Sequence, residues 1–187
     1  MIRHLVTDRR RFGLDAAELL RRVAAGSARV DVIQVRERDL DDRALVRLVR
    51  DMLDAVRGAG TRVLVNDRVD VAIAAGAGGV HLRADSAAAS RVRAIAPPAF
   101  MIGRSVHSIA EVDEAVRDGG CDYLLFGTVF PSAGKYEGHA VAGIDALAAV
   151  CRRSPVPIVA IGGMNEERAR EAVAAGAAGV AGVGMFM

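Results

Sequence analysis

The residues with the most chemistry to offer lie in one stretch, GTVFPSAGKYEGHAVAG, positions 127–143. It follows the short apolar run at 122–126, which reads as a buried strand, and then the apolar pattern stops. The stretch holds four glycines, together with Thr128, Ser132, Lys135 and His139. A loop this long in a compact domain is usually functional or disordered. It also follows a strand, where α/β folds build their sites. Lys135 in a glycine-rich loop suits a point contact to phosphate. Imidazoles are the natural acid–base groups near neutral pH. Of those available, His139 is best placed to move toward a substrate. His107 opens a helix. His81 lies within a strand and reads as core rather than catalyst.

Other polar groups fall just after apolar runs. They are Thr7 and Asp8, Gln34 with Arg36 and Arg38, Asn66 and Asp67, Arg83 and Asp85, then Ser105. Two arginines at one strand end suit bidentate anion contact, with Glu37 between them as a partner. Asp67 has three possible roles: magnesium ligand, acceptor from a heterocycle, or helix cap. Gly162-Gly163 and Gly182-Val183-Gly184 let backbone amides approach a phosphate. A bulky residue at Gly163 is expected to block such a site without harming the fold. Cations, hydroxyls and glycines around one mouth imply a small anionic substrate.

These groups need elements to hold them. Strands are expected at 4–8, 30–35, 62–65, 79–82, 100–103, 123–126, 157–161 and 179–183. Helices are expected at 14–25, 40–56, 69–75, 86–95, from the Ser108 cap to 116, 144–151, and from the Asn165 cap to 174. Continuous apolar strands alternating with helices indicate a parallel sheet with both faces covered. Eight such units in one domain, 1–187, indicate a TIM (β/α)8 barrel with its eighth helix either absent or beyond residue 187. The segments AAGAGGVHL and AAGAAGVAG echo one another, as repeated βα units would. The apolar barrel surface that an eighth helix would cover is left either to a homodimer or to residues beyond 187.

The composition narrows the class. At 52% hydrophobic residues the chain can bury a core, and no apolar run is long enough for a membrane span. A net charge of +2 and few aromatics argue against nucleic acid as a partner. Cys121 and Cys151 lack metal spacing and read as free thiols. With no signal peptide visible, a cytoplasmic enzyme is expected.

The strings IQVRER, VNDRVDVAIAAGAGGVHL, IGRSVHS, DYLLFGTVFPSAGK and VPIVAIGGM, in this order, resemble the thiamine phosphate synthase and thiazole tautomerase family. The resemblance spans nearly the whole chain. It implies a barrel that binds thiazole phosphate. Synthases also bind a pyrimidine diphosphate with magnesium. They ionise the pyrimidine away from diphosphate, and the thiazole nitrogen then attacks the cation. Tautomerases move protons on a carboxythiazole phosphate without metal. Gln34, Arg36, Asn66, Asp67, Ser105, Ser132, Lys135 and Gly163 match the synthase pattern. Arg38 stands where the family has lysine. The Gly-Gln-x-Asp motif reads Arg83-Ala84-Asp85-Ser86, so the second magnesium aspartate falls on Ser86, with Asp85 adjacent. The Thr-x-Thr-Lys diphosphate loop reads Ser132-Ala133-Gly134-Lys135, and the usual serine after strand eight is Gly184.

Because these departures concentrate on metal and diphosphate, the sequence reading favours a tautomerase-like isomerase without cofactor. His139 is its expected acid–base residue, and Thr128, at the tautomerase histidine's position, only orients substrate. The alternative is the synthase, with magnesium on Asp67 and Asp85. The third reading is a non-catalytic binding protein.

Overall fold

The computed structural model describes residues 1–132 and 140–186. Its strands are β1 (Ile2–Val6), β2 (Val32–Val35), β3 (Arg62–Asn66), β4 (Gly79–Leu82), β5 (Met101–Val106), β6 (Tyr123–Phe126), β7 (Ile158–Ile161) and β8 (Gly179–Gly182). Every strand pairs in parallel with its sequence neighbours, and β8 closes onto β1. The helices between them are α1 (Ala16–Gly26), α2 (Asp42–Ala55), α3 (Val69–Ala75), α4 (Ala89–Arg93), α5 (Ile109–Asp118), α6 (Gly143–Arg153) and α7 (Glu166–Ala174). This is the expected TIM barrel. Among the described residues no helix follows β8. None of the described helices is long and apolar enough to cross a membrane.

Capping residues set most helix starts. Asp15, Asp41, Ser108 and Asn165 each accept a hydrogen bond from the amide three residues on. The helices expected from 14 and 40 therefore begin two residues later, behind their aspartates. Glu111, three residues after the Ser108 cap, is spaced to close a capping box on the Ser108 amide but does not. It reaches one residue further back, to the His107 amide at 2.9 Å. The helix expected at 86–95 shortens to Ala89–Arg93. Its first amides are capped from outside by Asp118, at 2.7 Å from the Ala89 nitrogen. Ser86 is drawn away from it toward Asp67.

Along each strand the side chains alternate between the helix layer and the barrel lumen. On β3, Val63 and Val65 pack under the helices, while Leu64 faces inward with Val6, Val32, Tyr123, Leu125, Val159 and Ala181. Two glycines make this lumen possible. A Cβ on Gly103 would collide with the Tyr123 ring, and one on Gly79 with Leu64 and the Met101 carbonyl. Tyr123 therefore occupies the volume that Gly103 leaves.

The first strand runs two residues earlier than expected, at Ile2–Val6. This seats His4 fully inside the barrel and leaves Thr7 and Asp8 beyond the strand end. Strand β5 runs on to Val106, so Ser105 lies within it rather than in a loop.

Candidate active site

At the carboxyl ends of the strands a cavity of about 1000 Å³ opens. Its floor is a polar row across β2 to β5, built from the last inward-facing positions. Gln34 is buried, and its amide nitrogen donates to Asn66 Oδ1 at 2.8 Å. His81 Nε2 meets Ser105 Oγ at 2.9 Å, and its Nδ1 meets the Tyr123 hydroxyl at 2.8 Å. Burial holds the His81 imidazole neutral and pushes the Tyr123 phenol well above its ordinary value. His81 is thus core, as expected, and it also lines the cavity. Its position directly opposite Asn66 in the β3–β4 register is the signal that places it there. The apolar part of the floor comes from Leu125, Ile161 and Ala181.

The wall above β2 is cationic. Arg36 and Arg38 both line it. The Arg36 amide donates to Thr7 Oγ1 at 3.0 Å, and its guanidinium lies 3.6 Å from Asp8. Burial, followed by the charge of Arg38, presses the Arg36 pKa down from its usual height. Glu37 is not their partner. Its carboxylate accepts the Arg9 amide at 3.1 Å and pairs with the Arg9 guanidinium. Burial raises its pKa nonetheless.

The wall above β7 and β8 is glycine. Gly162, Gly163, Gly182 and Gly184 line the cavity, as do Thr128 and Ser132 from the loop after β6. Gly163 adopts φ +63°, and a Cβ there would strike the Pro131 carbonyl. The expectation that a bulky Gly163 spares the fold is therefore wrong: both backbone conformation and the neighbouring chain require glycine. Gly184 is different, with only the Phe12 ring 3.6 Å from a built Cβ. The amides of Gly163 and Gly184 meet no acceptor among the described residues. Asn165 caps α7 just beyond, so that helix's N-terminal field points toward the same corner.

His107 lines the cavity rim, its ring nitrogen 3.0 Å from Glu111. Lys135 and His139 lie outside the described residues.

The carboxylates after β3 and β4 do not fit a magnesium ion. Asp67 sits at φ 65°, a conformation aspartate tolerates better than most residues. One of its oxygens accepts from Ser86 Oγ, and the other faces the Arg83 guanidinium at 3.6 Å. Asp85 lines the cavity but pairs with Arg83 as well, whereas Asp67 is not among the lining residues. No trio of histidine, cysteine or acidic side chains converges among the described residues.

The sequence model described as thiamine monophosphate synthase matches residues 3–186. The chain belongs to that family. It is 43% identical to a thiamine-phosphate synthase of Methanocella arvoryzae over 90% of this chain and 78% of the relative. To the thiamine-phosphate synthase of Roseiflexus castenholzii it is 36% identical, over 95% and 77%. The solved structure of thiamine phosphate pyrophosphorylase from Pyrococcus furiosus superposes with a TM-score of 0.82 at 32% identity, covering 97% of this chain and 85% of that one. A 3-hexulose-6-phosphate synthase, at 16% identity and a TM-score of 0.72, shares the fold.

These relatives overturn the expectation of a tautomerase-like isomerase, since they carry the name of the synthase. The physical weakness of that expectation is visible in the site. It rested on departures from the family's metal and diphosphate motifs, yet the cavity is lined by Arg36, Arg38 and Arg83. It also needed a mobile titratable imidazole. Its expected imidazole, His139, lies outside the described residues; His107 lines the cavity, while His4 and His81 are buried with lowered pKa values.

Proposed function

We propose that this protein is a thiamine-phosphate synthase, a transferase of thiamine biosynthesis that joins a pyrimidine diphosphate to thiazole phosphate and releases diphosphate. The observation that carries this reading is one cavity with two anion-collecting walls on opposite sides. The glycine wall lies over β7 and β8, the arginine wall over β2 to β4, across the barrel from it. A substrate with one anionic group needs one such wall. A reaction between a monophosphate and a diphosphate needs two.

In this reading the amides of Gly163 and Gly184, with Gly162 and Gly182 shaping the turn, hold the thiazole's phosphate. Ser132 and Lys135 belong to the diphosphate end by the family resemblance. Arg36 and Arg38 face the diphosphate and favour its departure. Gln34, Asn66 and Ser105 line the floor between the two walls and orient the pyrimidine by hydrogen bonds. The carbon–oxygen bond to diphosphate breaks, with its electron pair leaving on the diphosphate. The thiazole nitrogen then forms the new carbon–nitrogen bond. Positioning and fixed charge do this work, and no side chain needs to act as nucleophile. Thr128 and His107 border the site and take no part in proton transfer.

Gly184→Asp tests the phosphate end. The backbone there accepts a side chain, so the melting temperature should stay within a few degrees of wild type. A carboxylate beside the phosphate should weaken thiazole phosphate binding, read by calorimetry, by about tenfold or more. Unchanged affinity would put the phosphate elsewhere.

A further inference from the structure

The cavity wall over β4 presents a cation where the carboxylates behind it are already committed. Arg83 is the first residue past β4 and lines the cavity, with its side chain 48% exposed. Two carboxylates hold it: Asp85 pairs with one guanidinium nitrogen, and Asp67 lies 3.6 Å from the other. Asp67 is further tied by Ser86 Oγ, and that hydroxyl also accepts the Arg83 amide at 2.9 Å. The loop after β4 is thereby closed on itself, its oxygens facing Arg83. Asp85 shares the cavity lining with Arg83, its carboxylate held by that guanidinium.

We propose that Arg83 is the diphosphate-binding cation of this enzyme, supplying from the chain itself the positive charge that would otherwise need a divalent metal ion. The inference rests on the synthase reading above and names the group that receives the leaving diphosphate. Arg83 stands on the same wall as Arg36 and Arg38. A guanidinium offers two parallel donors to adjacent phosphoryl oxygens, which suits a diphosphate better than a point charge does. Asp67 and Asp85 then act as positioning residues: they aim the guanidinium and limit its rotamers. A magnesium ion between Asp67 and the substrate would meet Arg83 first, and like charges exclude one another at that range.

The test is a calorimetric titration of inorganic pyrophosphate into the whole protein saturated with thiazole phosphate, so that the glycine wall is already filled. It is run in EDTA and again in excess magnesium. The expected result is binding in EDTA within about threefold of that in magnesium. Arg83→Met should weaken binding in EDTA by tenfold or more, and Arg83→Lys by less. Melting curves of both variants should match wild type, since the side chain is half exposed. Pyrophosphate binding that appears only with magnesium overturns the proposal. So does an Arg83→Met protein that binds as wild type does. In either case formation of thiamine phosphate by the wild-type protein would leave the synthase reading standing. Its absence would remove both.

Discussion

His4 shows what one residue can commit a barrel to. It is fully buried, and both ring nitrogens lack a hydrogen bond of good geometry, as does Gln34 Oε1. Burial lowers its pKa to about 4, and the nearby Gln34 offsets only part of that. The edges of His81 and Tyr123 surround it at centroid distances of 6.1 and 5.6 Å. A histidine whose folded pKa lies below its unfolded value stabilises fully above the unfolded value, near 6.5, and loses that stability as pH falls toward about 4. The loss by pH 5 should be about 2 kcal/mol from His4 alone. His81 shifts the same way and adds to it. Urea denaturation at pH 7 and pH 5 checks this. His4→Phe should show a clearly smaller drop between the two, and an equal drop would mean that other groups carry the acid sensitivity. Residue types alone placed Gln34, Arg36, Asn66, Ser105 and the glycines at one mouth, since each follows or ends a strand. They placed Arg83 there too, but did not reveal that Asp67 turns from the cavity or that Arg83 is held by Asp67 and Asp85. That depends on which partner each side chain finds across the β3 and β4 loops, and such pairings carry no sequence period.

At the scale of elements, the lumen is filled by unequal neighbours rather than uniform layers. Gly103 sits opposite Tyr123 in the β5–β6 register, and the ring takes the space of the missing side chain. Gly103→Ala should therefore destabilise by about 2–3 kcal/mol through overpacking. Adding Tyr123→Leu should recover part of that loss, because the two substitutions share one volume. A purely additive double mutant, measured by urea denaturation, would show that the glycine serves something other than the ring. The expected spans of α3, β4 and β6 agree with the observed ones, because apolar runs bounded by glycine leave little room for slippage. The start of β1 and the end of β5 differ from expectation. Arg3, Arg104 and Ser105 interrupt the apolar pattern there, while backbone pairing with β8 and with β6 continues past them. In a closed parallel barrel the neighbouring strands, not the strand's own residues, decide where pairing stops.

For the whole molecule, barrel closure follows from eight βα units, and the sequence pattern was sufficient for that. The function needed more than the pattern. Absent metal and diphosphate motifs read, position by position, as a lost reaction. In three dimensions the arginines of β2 and β4 gather on one wall, and the glycines of β7 and β8 on the other. The central claim is that these walls hold two phosphorylated substrates for one coupling. The most direct measurement incubates the protein with the pyrimidine diphosphate and thiazole phosphate, and quantifies thiamine phosphate and inorganic diphosphate together. Equimolar appearance of both, at a rate proportional to enzyme, is the predicted result. Diphosphate released without thiamine phosphate, or no product from a protein that binds both substrates, would contradict the account.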